Sequence, residues 1–405
     1  SVLDKYQYLS KQDRAFMTRL VDGTIEYMLQ LDYIIDSFSK TKVRKMKPFI
    51  RNLLRMSVYQ IKYMDAVPDS AVCNEAVKLA KRHKFAQLSG FVNGVLRNIA
   101  RNIDSVQFDT LSIRYSMPQW IVDRFVSAYG EKKAEEIFKA FHSKSTISIR
   151  TNLTRCTPDE LRAMLEAEGV TVTAVDELDY AFVISGFDYL NGLQTFRDGL
   201  FYVQDISSML VAQTAAPKKG DYVIDVCAAP GGKSTHIAEL LQGSGHVLAR
   251  DLTDNKVGMI EENIDRHGLN NMSAEVWDAT VPDADSAGKA DILICDLPCS
   301  GLGVLGRKKD IRYKMTPESV DELAALQRQI LDTVHTYVKP NGVLVYSTCT
   351  IDEAENEDNV RWFIEKHPEF ELDKNFAEGT GMEQILPGEH GSDGFFIARF
   401  IKSKL

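Results

Sequence analysis

Two cysteines stand at the ends of what read as neighbouring strands: Cys299 in Asp296-Leu297-Pro298-Cys299, and Cys349 in Ser347-Thr348-Cys349. A thiolate is a strong nucleophile, and a carboxylate within a turn of it supplies the acid–base partner that covalent catalysis needs. Upstream, Asp225-Val226-Cys227-Ala228-Ala229-Pro230-Gly231-Gly232-Lys233 reads as a strand entering a glycine turn and then a helix. Open α/β sheets bind ligands beyond the carboxyl ends of their strands. Asp225, Asp251, Asp278 and Asp296 are expected at four such ends. A carboxylate accepts both hydroxyl protons of a ribose, and Asp251 is suitably placed for it. Gly231-Gly232 lets backbone approach a ligand closely and opens the following helix.

Two nucleotide readings fail. Gly232-Lys233-Ser234 ends like a phosphate-binding loop, but the position five residues before Gly232 is Cys227 instead of glycine. The turn also lacks the Gly-x-Gly-x-x-Gly dinucleotide fingerprint. An adenosine-bearing cofactor without polyphosphate remains, and S-adenosylmethionine fits best. The thiols suit the same cofactor. Carbon 5 of a cytosine is too weakly nucleophilic to take a methyl group unaided, whereas a thiolate adding at carbon 6 turns the ring into an enamine whose carbon 5 attacks a methyl sulfonium. An acid near N3 stabilises that adduct, and a base removes the carbon 5 proton before the thiolate leaves. Spacing leaves open which of Cys299 and Cys349 attacks.

The elements that must position these groups follow from periodicity. After Gly220, strands are expected at 222–226, 246–250, 273–277, 291–295 and 343–348, with helices at 234–241, 255–267, 320–337 and 357–366. That alternation predicts a doubly wound, Rossmann-like parallel sheet, closed by an antiparallel hairpin with one strand at 394–401. Residues 12–103 show apolar positions three and four apart, as in Phe49, Leu53, Leu54, Val58 and Ile61, and read as an all-helical bundle. Asp69-Ser70 reads as the cap of a helix through Lys81. From Ser116 the pattern changes to helices at 121–129 and 132–141. An alternating strand at 146–150, a helix capped by Thr157 and strands at 170–175 and 181–184 complete a small α+β module.

The chain has 405 residues, 44% hydrophobic and 26% charged, with a net charge of -9. The charge is split: residues 1–120 hold 19 Lys and Arg against 11 Asp and Glu. The basic clusters are Lys40, Lys42, Arg44, Lys45 and Lys47; Lys78, Lys81, Arg82 and Lys84; and Arg97 and Arg101. They suit a polyanionic partner. No apolar run approaches the roughly 20 residues of a membrane span. No leader is visible over Ser1–Lys5, although the chain starts without Met. Six dispersed cysteines fit a reduced, cytoplasmic protein. Cys73 and Cys156 read as incidental, Cys227 and Cys295 as core or pocket wall, and His236 and His335 as structural. No Cys/His spacing fits zinc, so no metal is expected.

At these residues the chain resembles the Nop/Sun family of RNA cytosine-5 methyltransferases, and within it the bacterial 16S ribosomal RNA methyltransferase B (Sun/Fmu) group. The likeness spans nearly the whole chain. It implies a NusB-like helical RNA-binding domain over 1–115, linker helices and the α+β module over 116–205, and a methyltransferase domain over 206–405. Cys227, Ala228, Ala229, Pro230, Gly231, Gly232 and Lys233 match the family's cofactor loop; Asp251 matches its ribose acid, Asp278 its adenine-side acid and Asp296 the acid before Pro-Cys. Asn263 and Arg266 match the helix after Asp251. The resemblance implies that Cys349 is the nucleophile and that Cys299 helps release the product. Leu297 stands where the family usually has Ala, and Lys309 where the group commonly has Pro.

The expectation is therefore methyl transfer from S-adenosylmethionine to carbon 5 of a cytosine in 16S ribosomal RNA, naked or in a partly assembled small subunit, by a cytoplasmic monomer. Catalysis falls to Cys349, Cys299, Asp296 and Lys233, with Arg307-Lys308-Lys309 and the basic helices holding phosphates. The alternatives are the same chemistry on tRNA and a non-catalytic RNA-binding or assembly module.

Overall fold

The computed structural model describes residue 6 and residues 8–143 and 146–404, so Ser1–Lys5 lie outside it. The chain forms two compact units, one of residues 1–142 with 308–314, the other of residues 143–307 with 315–405.

The first unit is helical. Lys11–Glu26, Met28–Phe38, Pro48–Tyr63, Asp69–Arg82 and Ser89–Asn102 enclose a core that includes Leu31, Ile34, Leu54, Val58, Val92, Leu96 and Ile99. Pro68, not Asp69 or Ser70, occupies the N-cap of the fourth of these helices. Asp69 lies in its first turn, where a carboxylate favours the helix dipole. The helices Gln119–Tyr129 and Glu131–Phe141 belong to this unit, and so does the short helix Ile311–Lys314, whose Tyr313 hydroxyl donates to the Glu26 carbonyl at 3.0 Å. Phe16, on the helix Lys11–Glu26, is exposed despite its apolar ring.

The second unit holds two sheets. The smaller is antiparallel in the order β2-β3-β1-β4, from β1 (Ile147–Thr151), β2 (Thr171–Val175), β3 (Leu178–Ser185) and β4 (Phe201–Val203). The helix Pro158–Ala167 covers it, started by a capping box in which Thr157 and Glu160 satisfy each other's backbone N–H. The larger sheet has eight strands: β5 (Tyr222–Asp225), β6 (His246–Asp251), β7 (Met272–Val276), β8 (Ala290–Asp296), β9 (Val338–Thr348), β10 (Phe370–Leu372), β11 (Met382–Ile385) and β12 (Phe395–Lys402). Its order is β10-β12-β9-β8-β5-β6-β7, with β11 on β12; β5 to β9 run parallel and β12 antiparallel. The expected closing hairpin is β11–β12.

The central strands are buried on both faces, which is why they read as unbroken apolar runs. Ile224, Leu293, Cys295, Leu344 and Tyr346 pack on one side, and Val223, Ile292, Ile294 and Val345 on the other. Strand order reverses between β5 and β8, opening a crevice at their carboxyl ends. Among the described residues, no helix is long and apolar enough to cross a membrane.

Candidate active site

The glycine turn leaves β5 at the crevice. Gly231, with φ of 105°, is the N-cap of the helix Gly232–Leu240, a conformation an L side chain rarely adopts. A Cβ on Gly232 would lie 3.1 Å from the Tyr202 ring, so the loop and β4 are in close contact. The Ala228 N–H donates to the Arg250 carbonyl at 2.8 Å and the Ala229 N–H to Asp251 Oδ2 at 2.9 Å, tying the loop to the end of β6. From the other side Asn263 donates to the Pro230 carbonyl at 2.9 Å, and Arg266 donates to Asn263 Oδ1 at 2.7 Å. Both residues stand on the helix Asp254–His267, which props the loop up.

The four acids stand at the ends of four adjacent strands, in the spatial order Asp278, Asp251, Asp225 and Asp296. Asp251 is buried, and its Oδ1 accepts from the Leu252 N–H at 2.7 Å and Lys256 Nζ at 2.8 Å. Asp225 is buried at the sheet centre, accepting from Ser234 and the Cys227 N–H; burial pushes its carboxyl up to about 7 despite the Ser234 bond. Asp278 is exposed, two residues beyond β7, and hydrogen bonds from Thr280 hold its carboxyl below the usual range.

Lys233, Asp296, Cys299 and Cys349 meet beside the loop. Lys233 Nζ donates to Asp296 Oδ2 at 2.6 Å, Ser347 Oγ donates to Asp296 Oδ1 at 2.8 Å, and the two sulfurs lie 3.1 Å apart. The Lys233 ammonium also lies 5.3 Å from the centre of the Phe395 ring. Burial opposes the charge on Lys233, but Asp296, with Cys349 and Asp225, outweighs it and holds the pKa above its ordinary value. The Cys349 sulfur, and then burial, push the Cys299 thiol far up.

Both thiol loops share a brace that sequence reasoning missed. Glu355 is fully buried; it accepts from the Ser300 N–H at 2.9 Å and from Gln327 Nε2 at 2.9 Å, as well as from Ser300 Oγ. Gln327 also donates to the Pro298 carbonyl at 2.8 Å, and Ser300 Oγ lies 2.9 Å from Thr350 Oγ1. Burial raises the Glu355 carboxyl, as expected for an acid held among neutral donors. Nothing in Asp352-Glu353-Ala354-Glu355 marks which acid is inside. Cys295 and Cys73 are buried, and Cys227 is half-buried with its thiol pushed up by burial. Leu297 packs into the core instead of the crevice.

The expected phosphate triplet is altered by its partners. Arg307 pairs with Asp205 at 2.7 Å and also with Asp393, while Lys309 pairs with Glu26 at 2.6 Å. Lys308 alone of the three is exposed without an ion-pair partner among the described residues. Carboxylates already neutralise the other two cations. The Lys309 pairing also gives a structural reason for a lysine where the related group has Pro.

The 16S rRNA methyltransferase RsmB/F family matches residues 212–401, the NusB family residues 1–101, and the ferredoxin-like domain of RsmF/B-like methyltransferases residues 117–187. The probable ribosomal RNA small subunit methyltransferase B of Bacillus subtilis is 39% identical, covering 98% of this chain and 92% of that protein. The chain belongs to the RsmB/F family of 16S rRNA methyltransferases. A second RsmB relative, from Synechocystis sp., is 34% identical over the same shares of the two chains. The crystal structure of PH0851 is 26% identical and superposes with a TM-score of 0.84 over 98% of this chain and 92% of that one. As an RsmB/F enzyme the protein is an rRNA methyltransferase whose cofactor is S-adenosylmethionine. The NusB match falls on the basic helical unit, and the ferredoxin-like match includes β1, β2 and β3.

Proposed function

We propose that the protein methylates carbon 5 of a cytosine in 16S ribosomal RNA through a covalent adduct with Cys349. The observation that carries this reading is the meeting of two thiols, 3.1 Å apart, beside the Lys233–Asp296 pair. S-adenosylmethionine supplies the methyl group on a sulfonium. Asp251 holds its ribose, Asp278 its adenine side, and the Cys227–Lys233 loop with Asp296 the remainder; a buried acid fixed by backbone N–H groups suits a ribose. Cys349 thiolate adds to carbon 6, and the ring electrons pass to carbon 5, which takes the methyl. Asp296, oriented by Lys233 and Ser347, brings a proton to ring N3 as the adduct forms, because N3 and a bare carboxylate both only accept. Once a base has taken the carbon 5 proton, the carbon 6–sulfur bond breaks and the double bond returns. Cys299, whose raised pKa keeps it protonated, meets the departing Cys349 thiolate.

The target base must be unstacked to enter the crevice. Residues 1–115 then act as an RNA-binding domain, 116–205 as a linker with its α+β module, and 206–405 as the methyltransferase domain of a cytoplasmic enzyme. All the clustered lysines and arginines of the helical unit are exposed, which supports the first assignment.

The test pairs purified protein and labelled S-adenosylmethionine with unmodified 16S RNA. Wild type is expected to methylate, Cys349→Ala to be inactive, and Cys299→Ala to accumulate a denaturant-resistant protein–RNA adduct. An inactive Cys299→Ala without adduct, together with trapping by Cys349→Ala, would swap the two roles.

A further inference from the structure

At the opposite edge of the large sheet, two imidazoles and two carboxylates converge. The helix Pro317–Val334 runs back from the crevice and delivers Asp332 and, one turn on, His335, just before β9 begins. The helix Glu357–Lys366 ends beside it, placing His367 and Glu369 just before β10. One ligand atom from each of Asp332, His335 and His367 lies within 4.8 Å of the others. His335 and His367 have ring centroids 3.9 Å apart. Glu369 Oε1 approaches His335 Nε2 at 3.8 Å and His367 Nδ1 at 3.9 Å.

One imidazole nitrogen of this group faces the cluster as a lone pair, and another is buried without a hydrogen-bond partner. His335 Nδ1 lies 2.7 Å from the Asp332 carbonyl, so it is the protonated nitrogen, and Nε2 presents a lone pair to the cluster. His367 is buried, and its Nε2 lies 3.2 Å from Asp332 Oδ1 without a hydrogen-bond partner. Lys366 supplies one positive charge, with Nζ 2.9 Å from Asp332 Oδ1, from a half-exposed side chain. An imidazole lone pair on His335, the unpartnered Nε2 of the buried His367 and two carboxylates gathered around one point make a place that a shared cation would fill. Imidazole nitrogen with carboxylate oxygen is the donor set of zinc and its neighbours.

We propose that Asp332, His335 and His367, with Glu369 as fourth ligand, bind one divalent cation of the zinc class. The site lies beyond the amino ends of β9 and β10, whereas the thiols lie beyond carboxyl ends, so the cation pins two helix ends to the sheet and takes no part in methyl transfer. It requires small side-chain rotations to bring each donor to the roughly 2.0–2.2 Å of a zinc bond.

The full chain, stripped with chelator, would be titrated calorimetrically with zinc chloride and spectroscopically with cobalt(II) chloride. Wild type is expected to take up one equivalent at this site and to melt at higher temperature when loaded. His335→Gln and Glu369→Gln, both at partly exposed positions, should each weaken that uptake at least tenfold while leaving the metal-free melting temperature and methyl transfer unchanged. Using two variants keeps the test valid if one misfolds. The proposal fails if wild type takes up no metal. It fails equally if uptake persists in both variants and is lost only in Cys299→Ser, which would assign the metal to the thiols.

Discussion

Arg150 is among the largest fully buried side chains, and a charged one. It stands on β1, fully buried, and donates from Nε to Gln204 Oε1 at 2.9 Å, from Nη2 to Thr235 Oγ1 at 3.1 Å, and from Nη1 to Glu239. Thr235 and Glu239 both lie on the helix that begins at the cofactor loop, so one guanidinium fastens the small sheet to that helix. Arg150→Met would leave the Glu239 carboxylate buried, with His267 Nδ1 at 3.6 Å as its remaining ion-pair neighbour. Breaking a buried pair from one side costs about 3–5 kcal/mol, because an uncompensated charge stays inside. At roughly 2 °C per kcal/mol for a domain of this size, the melting temperature should fall by about 6–10 °C. Removing both charges in Arg150→Met/Glu239→Leu should recover most of that, since an apolar replacement of a buried pair is often near neutral. A deficit of about 1 kcal/mol should remain from Gln204, left without its donor. Thermal and urea unfolding of wild type, both single variants and the double variant form the required cycle. Single losses under about 1 kcal/mol, or strict additivity in the double variant, would refute the coupling.

Four further outcomes follow from the geometry. The Asp225 carboxyl is raised to about 7 against an ordinary 3.8, so the unfolded state ionises first and stability falls as pH rises from about 4 to about 7. Asp225→Asn should flatten that part of a stability–pH profile, and an unchanged slope would show that another group carries it. Asp251→Asn replaces a carboxylate acceptor and should weaken S-adenosylmethionine binding by roughly 10- to 100-fold by calorimetry, the worth of a charge-assisted hydrogen bond. Lys81→Glu/Arg82→Glu/Lys84→Glu should weaken RNA binding and reduce the magnitude of its log-salt slope by about 2–3; an unchanged slope would remove this surface from the RNA interface. Hydrogen peroxide should join Cys299 and Cys349, two protons and two electrons passing to the peroxide, with methyl transfer lost and then restored by dithiothreitol; persistent thiol titration of both cysteines would contradict it.

The large sheet was legible because its strands are short apolar runs separated by amphipathic helices, and each expected strand lies within a few residues of an observed one. The parallel strand at 338–348 begins five residues earlier than expected: Lys339, Pro340, Asn341 and Gly342 look like a turn and form an irregularity in the strand, bracketed by the pairs Ala290–Val338 and Ile292–Val343 with β8. Ion pairs between distant segments were not legible. Arg307 and Lys309 read as free cations in a run of basic residues, and only the folded chain brings Asp205, Asp393 and Glu26 to them. His335 read as structural for the same reason: its partner imidazole comes from a helix that begins more than twenty residues later.

Spacing could not order the two thiols, and the structure adds an asymmetry that bears on the question. Cys349, with Asp296 and Asp225, is among the groups that hold the Lys233 pKa above its ordinary value. Cys299 has the opposite surroundings: the Cys349 sulfur and burial both raise its pKa, with the buried Glu355 adding in the same direction. Two sulfurs 3.1 Å apart share a single proton more favourably than they carry two charges, as with paired carboxylates. In the role assignment we propose, the proton lies on Cys299 and the charge on Cys349, beside the cation. A nucleophile needs the charge and a group assisting departure needs the proton, which is the ordering that the family resemblance implied. Lys233→Met tests this directly: with the cation gone, the pH at which Cys349 reacts with a thiol reagent in a Cys299→Ser background should rise, and an unmoved profile would leave the ordering to resemblance alone.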